Sequence, residues 1–193
     1  AFVSLKFSSL DHLPRGARFG TSSLRRAAQM KHGRPDLEIV PLRGNVETRL
    51  GKLEQGIADA TLLAVAGLNR LGRSDRITAF VDPRRFPPAP AQGAIAIECR
   101  TEDTRTREWL AAIDHAASRA EVTAERALLA ALGGTCHSPI AVLCDAEGDM
   151  LTMRAALFSP DGAERVEGSA TFPAGDADGP ARLAAALLAR ATP

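Results

Sequence analysis

Residues 17–33 read ARFGTSSLRRAAQMKHG, and this stretch decides the architecture of the first half of the chain. Residues 17–20 are a short strand-like run. Thr21, Ser22 and Ser23 follow, and hydroxyl side chains of this kind cap helix N-termini. The pattern predicts a helix over residues 22–31, stopped by Gly33 with Pro35 beyond. A strand running into hydroxyl residues and a helix start makes an anion cradle, because the first N–H groups are unpaired and the helix dipole reinforces them. Arg25 and Arg26 stand in the first turn, where cations oppose that dipole. Their placement makes sense with an anion bound between them.

The same grammar repeats downstream. Residues 37–42 read as a strand, 43–45 as a turn, and 46–55 as a helix carrying Arg49 and closed by Gly56. A third strand-like run, 60–64, leads into VAGLNR at 65–70. Strands alternating with helices of this length predict a parallel sheet with crossover helices. In such sheets ligands bind beyond the carboxyl ends of the strands. Arg25 with Arg26, then Arg43, then Arg70 each follow one such end. The reading is a pocket lined by guanidinium groups, suited to a ligand with several carboxylates or phosphates. Arg34, Arg73, Arg76, Arg84 and Arg85 lack this placement and read as solvated surface.

Residues 82–92 break the rhythm with Pro83, Pro87, Pro88 and Pro90, and read as a linker or hinge. A strand is expected over 94–99 and a polar helix from Glu102 and Asp103 to Ile113. The last third has another pattern. A helix over 118–132, with Ala120, Ala124, Ala127, Leu128 and Ala131 on one side, precedes three strands near 140–144, 150–158 and 163–172. Short turns join them, so they are antiparallel. A helix over 178–190 closes a small α+β domain, with the boundary near residues 112–118. Residues 1–16 read as a lead-in ending in a turn.

Composition narrows the function. With 45% hydrophobic and 24% charged residues, the chain is an ordinary globular protein. A net charge of +1 argues against a general polyanion binder, and 4% aromatic residues without tyrosine leave few stacking platforms, so no nucleic-acid partner is expected. Of 24 basic residues only Lys6, Lys31 and Lys52 are lysines. The arginine excess fits bidentate recognition of carboxylates, although a GC-rich genome also raises Arg and Ala. Cys99, Cys136 and Cys144 are an odd number without metal-ligand spacing, and His12, His32, His115 and His137 show none either, so no metal is expected. Cys99 and Cys144 lie in apolar runs and read as core thiols, favouring a reducing, cytoplasmic compartment. No leader or membrane-spanning run is visible. The chain opens at Ala1-Phe2 without a methionine, as a fragment or processed form does.

Cys136 stands apart. It lies in LGGTCHSP, residues 132–139, where Gly133 and Gly134 end a helix and present the thiol on a loop. A loop cysteine is either a small turn residue or a point of covalent attachment.

Five motifs resemble those of the porphobilinogen deaminase (hydroxymethylbilane synthase) family. They are GTSSLRR at 20–26, LRGNVETRL at 42–50, LLAVAGLNRLG at 62–72, PAQGAIAIECR at 90–100 and TAERALLAALGGTC at 123–136. The resemblance implies α/β domains like those of periplasmic binding proteins followed by a small α+β domain with a three-stranded antiparallel sheet. It implies a second α/β domain at 1–92, a segment returning to a first domain at 93–112, and a C-terminal domain at 113–193. Cys136 corresponds to the cysteine that carries a dipyrromethane cofactor through a thioether. Thr21, Ser23, Arg25, Arg26, Arg43 and Gly67 correspond to cofactor-binding positions, and Arg49 and Arg70 to substrate-binding ones. The implied activity is stepwise condensation of four porphobilinogen units on that cofactor, with release of ammonia, to give hydroxymethylbilane for haem and other tetrapyrroles. The implied partners are porphobilinogen and the growing oligopyrrole, with no membrane, and a monomer at full length. Family members have roughly a hundred residues before the position of Ala1, a compact unit in itself, which supply the catalytic aspartate. Asp11, Asp36 and Asp59 stand in other contexts, and no catalytic residue is assigned here. The alternative is a catalytically incomplete fragment that only binds a small polycarboxylate.

Overall fold

Four short strands build the N-terminal sheet: β1 (Phe2–Ser4), β2 (Arg18–Gly20), β3 (Glu38–Val40) and β4 (Ala60–Leu62). The computed structural model describes residues 1–135 and 137–191. The strand order is β1-β4-β2-β3, with β4, β2 and β3 parallel and β1 antiparallel to β4. Successive strand residues face opposite ways. Phe2, Phe19, Ala60 and Leu62 therefore enter one core with Met30 of α1 (Leu24–Gly33). Val3 and Leu63 enter another with Leu50 and Leu53 of α2 (Val46–Glu54) and Leu68 of α3 (Val65–Arg70). Helices thus cover both faces, as a parallel-rich sheet requires.

The expected lead-in contains β1, so the sheet is mixed and not wholly parallel. Three residues are too short a run for periodicity to reveal. Residues 94–99 carry no strand. Ile95 and Ile97 are exposed, and Cys99 is exposed and not a core thiol. Alternating apolar residues supply only half of a strand; the other half is a neighbour for its N–H and C=O groups, and no described strand lies beside this segment. The polar helix that follows, α4 (Thr104–Ala112), is capped by Asp103.

The C-terminal unit holds β5 (Ile140–Glu147), β6 (Met150–Phe158) and β7 (Arg165–Pro173) in an antiparallel meander. Helices α5 (Ala116–Ala131) and α6 (Gly179–Leu188) share its core through Leu128, Leu183 and Leu187, with Cys144 buried among them. β5 lies at an edge, where unpaired N–H groups invite misassembly. Its outward N–H groups are all accepted: Val142 by Pro88 O at 2.9 Å, Cys144 by Glu125 Oε1 at 2.9 Å and Ala146 by Glu121 Oε1 at 3.0 Å. Glu121 and Glu125 are four residues apart on α5, a rise of about 6 Å. Alternate strand residues are about 6.6 Å apart, so helix and strand match step for step. The sequence reading placed an apolar stripe here and missed that Glu125 is buried beside it.

The two units touch through the turn between β6 and β7. Gly162 has φ of +76°, and a Cβ there would lie 2.5 Å from Ala28 O. The His32 Nδ1–H donates to Gly162 O at 3.1 Å, and the His32 ring meets Phe158 edge-on. Gly162→Ala is expected to cost about 1–3 kcal/mol in chemical denaturation, the range for forced overpacking. A loss below about 1 kcal/mol, the size of the backbone effect alone, would mean that the turn does not seat on α1.

Candidate functional site

Because β2, β3 and β4 are parallel, their carboxyl ends share one sheet edge, and the segments that leave them meet there. Ser23 caps α1, accepting the Arg26 N–H at 3.4 Å, and Thr21 Oγ1 accepts the Ser23 N–H at 3.1 Å. Thr21 is itself tied to β3 by its N–H, which donates to Val40 O. Asn45 caps α2 by accepting both the N–H and hydroxyl of Thr48. These caps fix the starts of two helices at one edge. Gly67 lies in the first turns of α3, where an added Cβ would meet only Val46 Cγ2, at 3.8 Å.

Two sets of arginines differ in their partners, while Arg15, Arg100, Arg105, Arg107, Arg126 and Arg190, away from the sheet edge, also lie outside any ion pair among the described residues. Arg34, Arg73, Arg76, Arg84 and Arg85, read from sequence as surface, all make ion pairs, with Asp36, Glu47, Glu54, Asp145 and Asp11 respectively. Arg25, Arg26, Arg43, Arg49 and Arg70 make none among the described residues. Their charge is held by neutral groups or by water. Arg26 Nη1 donates to Leu62 O at 2.5 Å and Arg49 Nε to Gly44 O at 2.8 Å, while Arg43 and Arg70 are exposed. Burial lowers the Arg26 pKa, and the nearby Arg49 charge adds to the effect. Burial, and then the Arg26 charge, push Arg25 down to about 10. Like charges gathered without carboxylates are costly, and a bound polyanion relieves that cost.

Arg25 has a second task. It is 6% exposed. Its Nη1 donates to Pro87 O at 2.9 Å and its Nη2 to Gln92 Oε1 at 3.1 Å. Gln29, one helical turn along and also buried, donates to the same Pro87 carbonyl at 3.2 Å. The sequence reading missed Gln29, although its spacing of four from Arg25 places it on the same helix face. It missed Gln92 and Glu125 too; for Glu125 the available signal was a carboxylate between Ala124 and Leu128, four residues after Glu121.

The turn after α5 is built for a tight exit. Gly133 has φ of +63°; its N–H returns to Ala130 O and that of Gly134 to Leu129 O, a Schellman closure. Beyond it, Thr135 N–H donates to Ser138 Oγ and Ser138 N–H to Thr135 O. Cys136, the expected attachment point, lies outside the described residues. Asp11, Asp36 and Asp59 are all engaged, with Arg85, Arg34, and Lys6 and Arg18.

Arg25→Ala is expected to lower stability by about 1–3 kcal/mol in urea denaturation, because it strips donors from Pro87 O and Gln92 Oε1. Arg43→Ala, exposed and unpaired, should stay within about 0.5 kcal/mol of the parent. Equal losses for both variants would contradict this division of roles.

The family model described as "Porphobilinogen deaminase, dipyromethane cofactor binding domain" matches residues 1–108, and "Porphobilinogen deaminase, C-terminal domain" matches residues 119–189. A porphobilinogen deaminase of Stenotrophomonas maltophilia is 50% identical over 187 residues, covering 97% of this chain and 62% of that protein. One from Sphingopyxis alaskensis is 54% identical over 185 residues, 95% of this chain and 58% of that protein. The chain thus spans about three fifths of the length of such relatives. No helix among the described residues is long and apolar enough to cross a membrane. Both family models fall in chain order on the two units described above, and the chain belongs to the porphobilinogen deaminase family.

Proposed function

We propose that the protein is a hydroxymethylbilane synthase, a cytoplasmic, monomeric transferase that condenses four porphobilinogen units on a dipyrromethane attached at Cys136. The observation that carries this reading is the set of arginines at the sheet edge without carboxylate partners. Pyrroles of this pathway bear an acetate and a propionate each, so every added ring brings two negative charges to be neutralised. Thr21, Ser23, Arg25, Arg26, Arg43 and Gly67 are assigned to the cofactor, and Arg49 and Arg70 to the substrate. We take residues 1–92 as the second domain, 93–112 as a segment that returns to a first domain, and 113–193 as the C-terminal domain.

The donor set fits the group, being cationic, multiple and preformed by helix caps. When bound, dipyrromethane supplies the pyrrole terminus to which units are added. The chain's own residues do electrostatic and orienting work. The guanidinium groups of Arg26 and Arg49 hold carboxylates of successive rings near one another and cancel their repulsion. The exposed Arg43 and Arg70 are free to follow a lengthening ligand. The caps at Ser23 and Asn45 keep the helix starts from moving as charge accumulates. No carboxylate of this chain is assigned the proton chemistry.

The intact protein is expected to carry a covalent addition of two pyrrole units by mass spectrometry, absent in Cys136→Ala. An unmodified mass in active protein would sink the assignment. Arg49→Ala and Arg70→Ala should each weaken porphobilinogen binding about tenfold or more, since a hydrogen bond to a charged group is worth about 1.5–3 kcal/mol. Unchanged affinity in both would remove the arginine edge from the site.

A further inference from the structure

The segment 87–92 is short of donors. Pro87, Pro88 and Pro90 have no N–H, yet their carbonyls still need partners where the chain is buried. The partners come from both sides. Arg25 and Gln29 of α1 donate to Pro87 O. Val142 of β5 donates to Pro88 O at 2.9 Å. The segment's own Ala91 N–H donates to Glu125 Oε2 at 2.6 Å, while the other oxygen of that carboxylate accepts Cys144 N–H.

Two features show that this contact is held firmly. Glu125 is 6% exposed, and a buried carboxylate is tolerated only when fully hydrogen-bonded. Ala91 has φ of +59°, the left-handed region that alanine avoids, a conformation that persists only where surroundings fix it. That conformation aims the Ala91 N–H at Glu125 and leaves the adjacent Gln92 side chain on Arg25.

We propose that Glu125 is a positioning residue: it locks residues 87–92 between α5 and α1, and so sets the arginine edge at a fixed place relative to the turn that follows α5. The connected path runs from Cys144 through Glu125, Ala91, Gln92 and Arg25 to α1. Its functional meaning rests on the proposed function, in which Cys136, four residues beyond the helix cap Leu132 in sequence, carries the group that the arginines bind. Glu125 is assigned no part in ligand binding or the reaction and acts through the segment it holds.

The test measures position directly and needs no ligand. Spin labels are placed at Gln55→Cys on the N-terminal unit and Ala186→Cys on α6, both exposed, with Cys99→Ser and Cys136→Ser to remove competing thiols. Pulsed dipolar spectroscopy is expected to give one narrow distance distribution. In Glu125→Gln, whose amide nitrogen cannot accept an N–H, the distribution should at least double in width with unchanged far-ultraviolet circular dichroism. Arg25→Lys reaches the same segment from the other side and carries the same expectation, which covers the case in which Glu125→Gln does not fold. A lowered melting temperature with an unchanged width would overturn the proposal, since that is what a purely local structural role gives. A parallel porphobilinogen titration on protein retaining Cys136 separates the two ideas. Broadening with at least fivefold weaker binding supports both. Broadening in a protein whose parent binds no porphobilinogen supports the positioning role and rejects the ligand reading.

Discussion

Two buried charges of opposite sign hold the same proline-rich strip, and together with the Gly162 turn seated on α1 they join the two units. Arg25 and Glu125 do not pair with each other. Each satisfies backbone or amide groups of residues 87–92. A strip with several prolines has more carbonyls than N–H groups, so it cannot close its own hydrogen bonds and must borrow donors from its neighbours. The guanidinium group, with five donors in a planar fork, suits that deficit better than any neutral side chain. The Glu125 carboxylate answers the remaining need, the stray N–H of Ala91, and covers the open edge of β5 with its second oxygen. A linker in composition is therefore a mortar in structure.

The same arrangement explains why the arginine edge keeps its charge uncompensated. Arg34, Arg73, Arg76, Arg84 and Arg85 have aspartates or glutamates within reach. Such exposed pairs contribute little to stability. At the sheet edge the available acceptors are carbonyls, at Leu62 and Gly44, which orient guanidinium groups without neutralising them. Arg26 feels the charge of Arg49 and acts on Arg25, and Ser23 caps the one helix start that bears both Arg25 and Arg26. Under the proposed function, such an edge is ready for a polycarboxylate before one arrives, which is the condition for preorganised electrostatic stabilisation.

What the sequence determined by itself was local. Strand–hydroxyl–helix grammar placed α1, α2 and the parallel strands, because caps, glycines and periodicity act within a few residues. Short turns marked the antiparallel meander for the same reason. The arginines that follow a strand's carboxyl end could be told from the others because that placement is a property of chain order. Tertiary structure decided the rest. It placed β1 beside β4, exposed residues 94–99, buried Glu125 within an otherwise apolar stripe, and gave Arg25 a strut's role alongside its charge. Each of these depends on which distant backbone groups lack partners. Hydrogen-bond satisfaction is settled only when segments far apart in sequence meet, and no local pattern records it.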